Sequence, residues 1–113
     1  MKYMLLIHGN EQEWDDLGEE EQGRIMANYR QFSEDLVASG HFVSGSQLAP
    51  VSMATSVRIR DGRRVITDGP FAETREQLGG YYLIEAKDLD EAIGIAARIP
   101  SAHLGTVEVR PQI

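Results

Sequence analysis

The sequence predicts a single α+β domain, with one sheet that carries two helices on one face and a second subunit on the other. Three observations lead there. Apolar or alternating runs that read as strands outnumber helical stretches, in the order β-α-β-β-β-β-α-β. The runs Tyr3–Ile7 and Tyr81–Ala86 are apolar on both alternating faces, as strands covered on two sides are. Two helices cannot cover both faces of such a sheet, so the free face predicts a homodimer. The chain of 113 residues forms one domain, residues 1–113. Its folded surface should be about 6,200 Å².

The elements follow in order. Residues 2–8 are a strand ended by Gly9-Asn10. The acidic stretch Glu11–Glu21 reads as a loop or the first turns of a helix. Ile25, Met26, Tyr29, Phe32, Leu36 and Val37 recur at helical spacing, which predicts a helix over about 18–39 with that stripe inward. Acids near its start favour the positive end of the helix dipole, and Gly40 suits a left-handed cap. Residues 41–45 read as a strand. Thr55–Ile59 and Arg63–Thr67 flank Asp61-Gly62, a hairpin signal because both central residues of that turn need positive φ. Gly79-Gly80 precedes the strand Tyr81–Ala86. Asp88 and Glu91 resemble a capping box for a helix over 89–99 with Leu89, Ala92, Ile93 and Ala96 on one face. Pro100 ends it. Thr106–Arg110 alternates as a half-buried strand does.

Composition narrows the function classes. Eighteen acids against 11 bases give a net charge of −7. Nine of those acids and only two bases lie in residues 11–35. An acidic chain repels phosphate backbones, so no nucleic-acid partner is expected. Without cysteine there is no disulfide, thiolate nucleophile or zinc–thiolate site. His8, His41 and His103 lack metal-binding spacing, so no metal is expected, and no motif calls for a cofactor. The apolar run Tyr3–Ile7 is too short for a signal peptide or a membrane span; no membrane role and a cytoplasmic location are expected.

The densest chemistry lies in Asp68-Gly69-Pro70-Phe71-Ala72-Glu73-Thr74-Arg75-Glu76. Strand ends beside turns commonly hold functional groups. Asp68 there could serve as a general base, bind a ligand cation, or bond its own turn backbone. His8, also at a strand end, could be held as one tautomer by Asp68 and act as base. Phe71, Tyr29, Tyr81 and Tyr82 are candidate ligand-binding walls. Tyr81 and Tyr82 point to opposite faces of one strand, one to the core and one to a pocket or interface. Arg58, Arg60 and Arg63 share a face of the hairpin with Arg64 beside them, a solvated tip or a surface for acidic groups such as a partner subunit's first helix. Three or four arginines without interleaved aromatics are a poor nucleic-acid signature.

Together with Gly79-Gly80-Tyr81-Tyr82-Leu83-Ile84-Glu85-Ala86, the Asp68–Glu76 segment resembles the signature of the YCII-related, DGPF-type bacterial proteins. Met1–Ile7, Ala97–Ser101 and Gly105–Pro111 extend the likeness over nearly the whole chain. Arg75 stands where many members have lysine. The resemblance implies a ferredoxin-like antiparallel sheet with two helices on one face, dimerised sheet to sheet as a dimeric α/β barrel. It implies a small-molecule-binding protein or enzyme with a pocket near the motif and a proton-transfer role for Asp68. Distant relatives pair that aspartate with a histidine on the first helix; Tyr29 stands nearest that position here. Ser46-Gln47 replaces an acidic residue of many members. Genomic neighbourhood in the family implies, alternatively, a regulatory module with a sigma-factor partner.

Overall fold

The computed structural model describes all 113 residues. Eleven elements follow one another: β1 (Lys2–Gly9), α1 (Glu11–Asp16), α2 (Glu19–Ala38), β2 (Phe42–Gln47), a 3-10 turn (Val51–Met53), β3 (Thr55–Arg60), β4 (Arg63–Asp68), β5 (Gln77–Glu85), α3 (Leu89–Ala97), a second 3-10 turn (Pro100–His103) and β6 (Thr106–Pro111). Four strands form an antiparallel sheet in the order β2-β5-β1-β6. This is the ferredoxin-like α+β arrangement. β3 and β4 do not join it; they pair only with each other.

Register decides which side chains meet the helices. Tyr3 pairs with Ile84 and Leu5 with Tyr82, and these four are buried together with Phe32 and Leu36 of α2 and Ala92, Ile95 and Ala96 of α3. Both long helices therefore pack on one face. Met4 opposite Leu83 and Leu6 opposite Tyr81 form the other face, where they are half-buried with no helix over them.

Local chemistry explains the boundaries. α2 ends as a Schellman motif: Gly40 N–H donates to the Val37 carbonyl, His41 N–H to the Leu36 carbonyl, and Gly40 has φ +79°. Asp61 and Gly62 both have positive φ, as the two-residue hairpin requires. Asp88 accepts from Glu91 N–H at 2.9 Å. The Glu91 carboxylate accepts from Lys87 N–H, one residue earlier than in an ordinary capping box. His41 ties the two helices together, its Nδ1 2.7 Å from Ser39 Oγ and its Nε2 3.2 Å from Glu91 Oε1.

Several expectations are corrected. The acidic stretch contains a separate helix, α1, because Asn10 caps it by accepting from Glu13 N–H. The pair Gly79-Gly80 lies inside β5, at a register shift against Ile7 and His8, rather than before it. The buried stripe of α3 is Ala92, Ile95 and Ala96, while Leu89 and Ile93 are about half exposed. In a helix that is apolar nearly all round, the small alanines set the phase by letting the backbone approach the sheet. Met26 and Val37 stand exposed at the edges of the α2 stripe.

The surface also departs from expectation. The chain exposes 8006 Å², about 1,800 Å² more than a compact monomer of this mass. Its radius of gyration is 15.9 Å, against about 13 Å for a compact chain of this length. Much of the difference is the β3–β4 hairpin, in which every residue except Ser56 is exposed.

Candidate functional site

Between α1, α2 and one end of the sheet lies a cavity of about 820 Å³. Its room has a sequence cause. On the helix-facing rows of β2 and β5, Gly45 and Gly80 put no side chain above the sheet. Gly45 is also held close to its neighbour: a Cβ there would stand 2.9 Å from Tyr82 Cδ1. Gly105 closes one end against β1, where a Cβ would meet the His8 carbonyl oxygen at 2.2 Å.

The wall is mostly apolar, with Trp14 and Leu17 contributed by α1 and its end, and Ile7 by the sheet. Set into it are two hydroxyl pairs. Ser33 Oγ and the Tyr82 hydroxyl are 2.7 Å apart, and the Tyr29 hydroxyl is hydrogen-bonded to Ser101 Oγ. Tyr29 and Ser33 are four residues apart on α2, so both face the cavity. Burial raises the Tyr29 phenol above the usual 10.0, outweighing the opposing bond to Ser101. At neutral pH Tyr29 is thus a neutral hydroxyl that can donate or accept, and not a phenolate base. Glu11, Glu13 and Asp15 of α1 supply the acidic part of the lining. Glu11 is anchored, its Oε1 accepting from Val51 N–H and its N–H donating to Gln77 Oε1. No three metal-ligating side chains come together anywhere in the chain.

The residues singled out from the sequence divide. Tyr29, Tyr82, Tyr81 and His8 belong to the lining. Tyr82 is the core member of its pair, edge-on to Phe32 with centroids 5.2 Å apart, while Tyr81 belongs to the opposite row. His8 sits at the end of β1 with Nε2 3.4 Å from Glu108 Oε1, on the face away from the helices. That nitrogen is shut from solvent without a well-formed hydrogen bond. The Glu108 carboxyl is held below the usual carboxylate range, first by Arg110 and then by His8.

Asp68 and Phe71 are not in the lining of this cavity. Asp68 pairs with Thr55 at the root of the hairpin, exposed, its carboxylate bonded neither to its own turn nor to His8. The motif turn is fastened instead by Gly69, whose N–H donates to the Ala54 carbonyl and whose carbonyl accepts from Ser56 Oγ. Phe71 is 79% exposed. The sequence reading missed Ser33, Ser101, Gly45 and Trp14. Ser33 left a trace, a polar residue one turn after Tyr29 inside an apolar stripe. Ser101 left none, because its partner is 72 positions away.

The full length of the chain, residues 1–113, matches the YCII-related domain. The chain belongs to the YCII-related family. An uncharacterised protein of Rhizobium meliloti (strain 1021) is 35% identical over 113 residues, covering 98% of this chain and 91% of that protein. No helix is long and apolar enough to cross a membrane.

Proposed function

We propose that this YCII-related chain binds a small molecule in the cavity between α2 and the sheet, and does so as a homodimer. The observation that carries the reading is the pair of hydroxyl couples, Tyr29–Ser101 and Ser33–Tyr82, set in an apolar wall. Such a wall suits a ligand with an apolar body and one or two neutral hydrogen-bonding groups. Acids at Glu11, Glu13 and Asp15 favour neutral or cationic ligands over polyanions. If the ligand is also a substrate, Tyr29, kept neutral by burial, serves it as a hydrogen-bonding hydroxyl and not as a base. The half-buried row of Met4, Leu6, Tyr81 and Leu83, with no helix over it, supports a second subunit over the free sheet face.

The test is a thermal-shift screen of phenols, small amines and neutral metabolites on wild type, Tyr29→Phe and Ser33→Ala in parallel. A ligand at a hundred times its Kd adds about 2.7 kcal/mol to stability and raises Tm accordingly. Hits on wild type that weaken in both variants are expected. Hits that both folded variants bind as well as wild type would sink the site. Light scattering at micromolar concentration checks the dimer separately; a monomer there removes it.

A further inference from the structure

The β3–β4 hairpin is not held up by its own chain. It joins no other strand, and all its residues but Ser56 are exposed. The register sorts its side chains into two faces. Thr55, Val57 and Ile59 lie with Asp68, Ile66 and Arg64; Ser56, Arg58 and Arg60 lie with Thr67, Val65 and Arg63. Val57, Ile59 and Ile66 are 59%, 60% and 55% exposed. Met53 and Phe71, beside its root, are 74% and 79% exposed. A lone two-stranded ribbon is marginal in water, and so large an apolar area on a monomer marks a contact surface. The excess of about 1,800 Å² per chain, about 3,600 Å² for a pair, is of the size an obligate homodimer interface buries in total.

Charge indicates what covers it. The hairpin carries Arg58, Arg60, Arg63 and Arg64 against Asp61 and Asp68. The segment Glu11–Glu21 carries Glu11, Glu13, Asp15, Asp16, Glu19, Glu20 and Glu21 and no base. Three of those acids line the cavity. The chain's overall charge of −7 argues against a nucleic acid, whereas a second copy of this chain offers both an apolar body and the opposite charge. Arg64 shares the apolar face, and Arg58, Arg60 and Arg63 stand on the opposite face of a ribbon only two strands wide, within an arginine's length of its edges.

We propose that the β3–β4 hairpin of each subunit is an arm that docks on a second copy, with its apolar face against that copy's body. Its arginines reach the acidic α1 segment at the mouth of the cavity. Each cavity is then completed by the arm of the other subunit. The inference rests on the homodimer proposed above and extends it from the sheet face to the ligand site.

The test uses the full chain in sedimentation experiments, with acrylamide quenching of Trp14, the one tryptophan and part of the cavity wall. Two arm variants are made, V57S/I59S/I66S and R58E/R60E/R63E, and one rim variant, E13R/D15R/D16R. All lie outside the buried core, and circular dichroism checks that each folds. Wild type is expected to be a dimer with Trp14 shielded. Each variant should raise the dimer dissociation constant by about tenfold or more and expose Trp14 to quencher. The R58E/R60E/R63E and E13R/D15R/D16R chains, each weakened alone, should form a one-to-one heterodimer when mixed. Both arm contacts are complementary only in that species. A monomeric wild type overturns the dimer and the arm together. A dimer unmoved by both arm variants overturns the arm alone, and failure of the mixture to associate overturns the charge pairing.

Discussion

Tyr29, on α2, is hydrogen-bonded to Ser101, in the 3-10 turn after α3, and the bond joins two walls of the cavity across 72 positions of sequence. Removing one partner leaves the other hydroxyl unpaired in a half-buried place. Tyr29→Phe should lower stability in urea by about 1–2 kcal/mol, and so should Ser101→Ala. The double variant should lose less than the sum of the two, because both remove the same bond.

The same phenol predicts behaviour in alkali. Its folded pKa is raised above 10.0 by burial, so folding favours the neutral form. The stability this gives is complete below the unfolded value and is lost as pH rises through the folded one. Denaturation midpoints above pH 10 should therefore fall more steeply for wild type than for Tyr29→Phe.

Two glycines should resist even alanine. In Gly45→Ala the new Cβ meets the Tyr82 ring at 2.9 Å, and the ring must turn from Ser33 and Phe32. A loss of about 1–3 kcal/mol is expected. In Gly105→Ala the Cβ meets a main-chain oxygen at 2.2 Å, which cannot swing aside. There the loss should be about 3 kcal/mol or more. Urea titration of both variants ranks them.

Glu91 predicts an acid limb. Its carboxyl lies below the usual range because Lys87 N–H donates to it, with His41 adding to the effect. The stability it gives is present above the unfolded carboxylate pKa and is lost as pH falls through the lowered one. Glu91→Gln should be less stable than wild type near neutrality, and the two should converge in acid.

Asp68→Asn separates function from architecture. The carboxylate is exposed and without a partner in its own chain, so the fold should lose no more than about 0.5 kcal/mol. A large drop in Tm would assign Asp68 a structural role after all.

Elements defined by local signals were readable from sequence. Asp61-Gly62, Gly40 and the stripe of Ile25, Phe32 and Leu36 carry their conformations in their own residue types. Elements decided at a distance were not. Nothing in Thr55–Asp68 says that the hairpin leaves the sheet, since its alternation is the same in either place. The phase of α3 was lost because Leu89 and Ile93 satisfy the apolar pattern as well as Ile95 does. For the site, Tyr29 and Tyr82 were legible as large amphipathic groups on packed elements. Their partners Ser33 and Ser101 are small and common, and only tertiary contact gives them meaning.

The outer strands of the main sheet limit how copies of this chain can grow. β2 shifts register between Phe42 and Ser44, and β6 ends at Pro111, which has no amide hydrogen to offer a further strand. Neither rim is a smooth template, so edge-to-edge addition, the route to ribbons and fibres, is blunted on both sides. With the lateral direction blunted, the proposed pairing through a broad face and projecting arms would be two-fold and would close on itself. Concentrated solutions should therefore reach a fixed particle size and stay clear rather than thicken into filaments.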